Sequence, residues 1–287
     1  MIILDFQQTI LANLMVGLGH GHHKVEVNEG ILRHMTLKSI KTINSTFRPT
    51  HGKLVIACDG GSVWRRDYFP YYKANRKKAR EESGLDWKMI FDSLHKIRDE
   101  IIEFMPYATV LEHKAEADDV VAALVMNRSN DLTEKVMIVS GDGDFIQLQR
   151  FPNVKQWDHV RKRWLTSSDP VAHLKEKVIR GDSGDGVPNF LSPDDSFVMK
   201  KRQKAITAEN FTKWMASEPA EFLDTPEKAD NWRRNETLVD LTKIPPDVTA
   251  KILDRYAAGP VNDDRAVMRE YFIRSGLKEL MESIQDF

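Results

Sequence analysis

Cysteine is close to absent from this 287-residue chain. Cys58 stands alone, which excludes an intramolecular disulfide framework and fits a reducing compartment. Long hydrophobic runs are missing as well: no apolar stretch approaches the roughly 18 residues that a membrane helix needs. The apolar start, MIILDFQQTILANLMV, has no basic flank and is interrupted by Asp5, Gln7 and Gln8, so it reads as a strand and a helix rather than a signal peptide. No membrane association and a cytoplasmic location are expected. Net charge is also lacking: 42 basic and 43 acidic residues leave −1, so the total neither implies nor excludes a nucleic-acid partner. The lysine-bearing phosphate loop of P-loop proteins is missing, and Gly141-x-Gly143 is too short for a dinucleotide fingerprint.

What is present suits a folded chain with a large core, since 41% of residues are hydrophobic and 30% charged. The organising stretch is Val136–Gln147, VMIVSGDGDFIQ. Four β-forming residues break at Ser140-Gly141, and Asp142 and Asp144 follow with only Gly143 between them. Two readings stand at this point: a helix cap beside a solvated acid, or one edge of a larger acid site. Ile2-Ile3-Leu4 ends likewise in Asp5, and Lys53–Cys58 in Asp59. Further strands are expected at Ala108–Leu111 and Val154–Trp157, the latter turning through Arg161-Lys162-Arg163-Trp164 as a hairpin. Helical spacing covers Thr9–Leu18, Glu29–Phe47 and Asp86–Phe104 between them. From about Ser167 the pattern turns helical, with helices at Asp169–Ile179, Ala208–Ser217, Lys228–Leu238, Asp247–Tyr256 and Asp264–Ser275. The expected fold is α/β: a mostly parallel twisted sheet flanked by helices, with a smaller C-terminal helical domain. The boundaries are an α/β domain over 1–165, with a separate helical segment at about 64–95, and a helical domain over 166–287; the resemblance set out below makes the segment a helical arch and the second domain a DNA-binding one.

Glu116, Asp118 and Asp119 precede an apolar helix, three acids within four positions, more than a cap requires. Asp182 and Asp185 sit on a glycine-rich loop, GDSGDGVP. In a doubly wound sheet the strand-terminal and helix-initial acids converge on one crevice. Such a cluster repels itself unless divalent cations occupy it. Oxygen-only ligands favour Mg²⁺ or Mn²⁺ over Zn²⁺, and two such ions about 4 Å apart serve phosphodiester hydrolysis. His20, His22 and His23 in a Gly-rich loop invite a metal reading, but an exposed loop is the better one. A haloacid-dehalogenase-type phosphatase would need a second Asp two residues after Asp5, where Gln7 stands.

Between Trp64 and Arg80 lie seven cations, Arg65, Arg66, Lys73, Arg76, Lys77, Lys78 and Arg80, against Asp67, a local charge of +6. A charge run is commonly a solvated helix face. Here Trp64, Tyr68, Phe69, Tyr71 and Tyr72 are interleaved, and bases stack on aromatics while cations follow phosphates. Lys200, Lys201, Arg202 and Lys204 form a second basic run, read as a solvated face or a contact to nucleic-acid backbone. Acids and basic segment together point to a nuclease.

In order, Glu116-Ala-Asp-Asp, Ser140-Gly-Asp-Gly-Asp-Phe-Ile-Gln-Leu and Gly181-Asp-x-x-Asp-Gly-Val-Pro resemble motifs of the flap endonuclease/5′ nuclease superfamily, and Asp5 and Asp59 fit the same pattern. Trp64-Arg-Arg-Asp, Tyr71-Tyr-Lys, Asn75-Arg and Pro152-Asn-Val-Lys-Gln-Trp narrow the resemblance to the bacteriophage ribonuclease H branch, over nearly the whole chain. The resemblance implies a 5′→3′ exonuclease with flap endonuclease activity that removes RNA primers from lagging-strand fragments, in the cytoplasm of a bacterial host if phage-encoded. It implies two Mg²⁺ (or Mn²⁺) ions per site. Asp5, Asp59, Asp118 and Asp142 would serve the first, with Glu116 beside them. Asp144, Asp182 and Asp185 would serve the second, and Asp119 either one. Lys73 and Arg76 match arch cations that hold the scissile phosphate, and Tyr72 an arch tyrosine that stacks on a terminal base. Implied partners are RNA–DNA/DNA duplexes, 5′-flap or forked DNA and, by analogy, a replication single-stranded-DNA-binding protein, with the chain a monomer. The pattern departs at Asn189–Phe197, which lacks the glycines of the family's helix-hairpin-helix, so duplex contact there and a K⁺ site are not carried over. Nor are contacts made by a leader ahead of the first strand. Two other readings are a structure-specific nucleic-acid binder with an inactive acid cluster and a PIN-type endoribonuclease.

Overall fold

Four short runs of mainly β-branched and aliphatic residues and two more polar ones, VKQWD and RWL, form the strands, and in the computed structural model, which describes residues 1–19, 27–128, 131 and 133–287, they make one sheet. They are β1 (Ile2–Asp5), β2 (Leu54–Cys58), β3 (Ala108–Leu111), β4 (Val136–Val139), β5 (Val154–Asp158) and β6 (Arg163–Leu165). Their order is β3-β2-β1-β4-β5-β6, parallel from β3 to β5. Only β6 runs antiparallel, completing the expected hairpin with Trp157 opposite Trp164. β1, β2 and β4 are buried along their whole length. That is the reason for their unbroken apolar sequence: helices cover both faces of a parallel sheet. Order reverses between β1 and β4, the point at which doubly wound sheets place their ligands.

The chain divides into two compact units. The first comprises Met1–Gly61, Asp86–Thr166 and Pro246–Phe287 and contains the sheet. Its helices are Phe6–Gly19, Glu29–His51, Trp87–Phe104 and Ala117–Arg128, joined by the C-terminal helices Pro246–Ala257 and Arg265–Arg274. Asn28 and Asp86 cap their helices by accepting the Ile31 and Met89 backbone N–H groups at 3.0 and 2.9 Å. The second unit comprises Ser62–Leu85 and Ser167–Pro245. Apart from the irregular stretch 181–207 its elements are helical, and its core is aromatic: Phe190 meets Trp214, Phe222 and Trp232 edge-on at 4.9, 5.8 and 5.9 Å.

The chain passes between the units at Thr166–Ser167, and residues 246–287 pack with the first unit rather than with the helical one. The arch expected over 64–95 is likewise divided, since Trp87–Phe104 belongs to the first unit. Asn189–Phe197 forms no helix. The buried Arg234 guanidinium pins it instead, donating to Ser192 O at 3.2 Å, Pro188 O at 3.0 Å and Asp194 Oδ1 at 2.5 Å. His20, His22 and His23 lie outside the described residues. Among the described residues no helix is long and apolar enough to cross a membrane.

Candidate metal centre

Because β1, β2, β4 and β5 run parallel, residues that end them share one edge of the sheet. Asp5 ends β1, Asp59 follows β2, Asp142 follows β4 by three residues, and Asp158 ends β5. Asp5 is 3% exposed. Burial first, then the charge of Asp59, pushes its carboxyl up to about 8, with Asp142 adding to the rise and a Ser140 hydrogen bond opposing it. Three carboxylates therefore act on one another at the β1/β4 reversal.

The turn after β4 is built to hold them. Ser140 Oγ donates to Asp5 Oδ2 at 2.9 Å and accepts the Asp142 N–H at 3.1 Å. Gln8 Oε1 accepts the Gly141 N–H at 3.2 Å. Gln156 Nε2 reaches across from β5 to Ser140 O and Asp142 O at 3.1 and 2.6 Å. Asp142 Oδ1 accepts the Asp144 N–H at 2.9 Å and so caps the turn that follows. Asp59 Oδ1 accepts the N–H of Ala117, tying β2's acid to the start of the Ala117–Arg128 helix at 2.8 Å. At that start, buried Asp119 accepts the Glu116 N–H at 2.9 Å, while Glu116 is 5% exposed and Asp118 half-buried. Gly60 permits this convergence: a Cβ there would sit 2.1 Å from Glu112 O. A cleft of about 570 Å³ opens beside Asp59, lined also by His95, Arg98 and His113.

Among the described residues no three His, Cys, Asp or Glu side chains already stand in a cage that would hold an ion. The donors nevertheless fit one. They are carboxylate oxygens, the set preferred by hard divalent cations, and buried like charges are relieved by a cation.

In the second unit, Asp185 is held by Arg76 Nη2 at 2.5 Å, Lys73 Nζ at 3.6 Å and the Tyr72 hydroxyl at 2.8 Å. Burial alone would raise this carboxyl, but those three groups hold it below the usual carboxylate range. Asp182 pairs with Lys177 at 2.8 Å. Both acids expected as metal ligands are thus held by cations within their own unit. Lys73 adopts φ 57° and donates its N–H to Asp185 O at 2.7 Å, so the 182–187 loop and the 71–76 segment form one piece.

Two expected nucleic-acid contacts need correction. Arg65 is 2% exposed, donates to Leu238 O at 3.0 Å and stacks on Trp64 at 4.6 Å. Tyr72 is 3% exposed, in the aromatic core with Phe69, and presents no open face for a base. Burial makes both anchors of the unit. Arg66, Arg76, Lys77, Lys78, Arg80, Lys200, Lys201 and Arg202 are exposed.

Ser140, Gln8 and Gln156 were not legible from residue type, because neutral side chains carry no charge signal. Asp158, 1% exposed and bonded to the Val160 and Arg161 N–H groups at 3.1 and 2.9 Å, carried the signal that marked Asp5 and Asp59, an acid closing a strand.

Known proteins resemble the chain along its whole length. A family model of the 5′-3′ exonuclease N-terminal resolvase-like domain matches residues 21–178, and one of the T4 RNase H C-terminal domain matches residues 169–287. A ribonuclease H of Enterobacteria phage T4 is 33% identical over 294 residues, covering 99% of this chain and 95% of that protein. A flap endonuclease Xni of Shewanella sp. (strain MR-4) is 33% identical over 155 residues, 50% of this chain and 53% of the relative. A solved phage T5 5′-exonuclease with bound zinc ions shares the fold, with TM-score 0.60 and 19% identity over 90% of this chain and 98% of that one. The chain therefore belongs to the 5′-3′ exonuclease family, in the branch whose C-terminal region is of the T4 RNase H type.

Proposed function

We propose that this chain is a divalent-metal-dependent 5′→3′ exonuclease and flap endonuclease that removes RNA primers and adjacent DNA from lagging-strand fragments. The observation that carries the reading is Asp5, buried at the β1/β4 reversal and raised by the charges of Asp59 and Asp142. The names of the phage T4 ribonuclease H and the Shewanella flap endonuclease support the nuclease class. The zinc-bound T5 exonuclease and a T5 flap endonuclease complexed with DNA and metal ions support a metal and a DNA substrate.

In this reading Asp5, Asp59, Asp118, Asp119, Asp142 and Asp144, with Glu116, hold two Mg²⁺ or Mn²⁺ ions. Bound there, such ions would supply activation of a water and stabilisation of charge on the leaving oxygen. The chain's own groups do the rest. Ser140 and Gln156 fix the turn that presents Asp142. The second unit serves as the nucleic-acid-binding part. Asp185 orients Lys73 and Arg76, which take a phosphate and its developing charge. Arg66, Lys77, Lys78, Arg80, Lys200, Lys201 and Arg202 follow the backbone by charge.

The test is a panel of 5′-labelled RNA–DNA/DNA duplexes and 5′-flap DNA with Mg²⁺, beside the same panel in excess EDTA. Short 5′ products from both strand types with Mg²⁺ alone are expected. Undiminished cleavage in EDTA would remove the metal from the reading.

A further inference from the structure

The β5–β6 hairpin, residues 154–165, carries charge and an aromatic ring that the acid edge leaves unused. Lys155, Arg161, Lys162 and Arg163 stand against Asp158, a local charge of +3. β6 is the outermost strand of the sheet. A short, cationic edge strand resists pairing with another sheet, and charge alone would serve that end. Trp164 does not fit such an account. It is 50% exposed, whereas the other five tryptophans are buried or half-buried. Trp157, its partner in register across the hairpin, and Phe47 meet it edge-to-face at 5.1 and 6.3 Å. The indole is braced from within the first unit and still half open to solvent.

The tip of the hairpin is fixed at the acid edge. Buried Asp158 ends β5, accepts the Val160 and Arg161 N–H groups, and pairs with Arg161 Nη1 at 3.5 Å and Arg163 Nε at 3.9 Å. These two arginine side chains remain 65% and 58% exposed, so their guanidinium groups are aimed but not used up. A Cβ at Gly141 would lie 3.2 Å from Asp158 Oδ2. The carboxylate that holds the tip therefore lies against the turn that presents Asp142. Lys162 holds φ 50°, where glycine or asparagine is less strained, so a cation forms the turn at some cost. Because β6 runs antiparallel to β5, Arg163 and Trp164 lead away from the acid edge at about 3.4 Å per residue.

We propose that this hairpin is a binding site for single-stranded nucleic acid, with a base stacked on Trp164 and phosphates taken by Arg161, Lys162 and Arg163. An open ring selects unpaired bases, whose faces are free, and cations beside it follow the backbone. The substrate class rests on the nuclease reading; the contact itself involves no metal. Fluorescence anisotropy of the full chain in EDTA tests it, with a short labelled single strand and a blunt duplex as separate arms. Trp164→Leu, which keeps apolar contact with Trp157 and Phe47, should weaken single-strand binding about tenfold and Trp164→Phe less than about threefold. Duplex binding should stay within about twofold in both. Arg161→Gln with Lys162→Gln should lower the salt slope of single-strand binding by about 1.4, two phosphates' worth. On the unaltered chain, a single strand carrying 5-iodouracil should photocrosslink to Trp164, a readout that no variant's folding can disturb. Unchanged single-strand affinity in Trp164→Leu, an equal loss in the duplex arm, or crosslinks confined to residues outside 154–165 would overturn the proposal. Single-strand binding through Trp164 without Mg²⁺-dependent cleavage would remove the nuclease reading and leave this site standing, and cleavage with Trp164 silent would do the reverse.

Discussion

Asp5 is held in place by neighbours that its own charge opposes: the Ser140 hydroxyl donates to it while burial and the charges of Asp59 and Asp142 disfavour its ionised form. Replacing it by Asn keeps an oxygen for that hydroxyl and removes the repulsion. Asp5→Asn should therefore raise the stability of the metal-free chain by more than about 1 kcal/mol. It should also abolish the rise in melting temperature that added Mg²⁺ or Mn²⁺ gives the unaltered chain through linkage. Thermal melts with EDTA and with each ion check both signs, and a less stable metal-free variant would contradict the repulsion. The charged members of this site were legible because an acid closing an apolar run has no business in a core unless something pairs with it. Arg65 and Tyr72 were misread for the complementary reason. Aromatics interleaved with cations look alike whether the rings face a base or, as here, the core around Phe190.

At the scale of elements, the turn after β2 and the basic segment set the two testable features. Gly60 donates its N–H to Ala115 O at 2.8 Å, and a side chain there would press on three backbone oxygens. Backbone cannot rotate away as a side chain can, so Gly60→Ala should lose about 2–3 kcal/mol and disturb Asp59 beside it. Chemical denaturation, with the midpoint shifted at constant slope, measures this; an unchanged midpoint would refute the close approach. In the second unit, Lys77 and Lys78 are exposed, whereas Lys73 and Arg76 are bound to Asp185. Lys77→Ala with Lys78→Ala should weaken duplex binding and reduce its salt dependence by roughly two phosphate contacts. Lys73→Ala with Arg76→Ala should slow cleavage of bound substrate as well. Equal effects of the two pairs on binding and on cleavage would erase the distinction. Strands and helices here were legible from periodicity and caps: Asp169, expected at the head of a helix, caps Pro170–Arg180 through the Ala172 N–H at 2.8 Å. The pinning of Asn189–Phe197 was not, because Arg234 lies about forty residues further on and nothing in its neighbourhood announces burial.

For the molecule as a whole, the sheet order places Asp5, Asp59 and Asp142 on one edge, and that placement follows from the parallel run of β2, β1 and β4 rather than from any single motif. The parallel sheet could be anticipated from strands alternating with helices. The return of Pro246–Phe287 to the first unit could not, since amphipathic helices carry no mark of which core they cover. The central claim is that the acid edge performs the chemistry while the basic surfaces hold the substrate. Single-turnover cleavage and equilibrium binding of a 5′-flap DNA by Asp142→Asn, with Mg²⁺, test it together. The account predicts cleavage reduced by at least about a thousandfold, on the scale of losing a main source of charge stabilisation, with the dissociation constant within about threefold of the unaltered chain. Cleavage at the normal rate would contradict it.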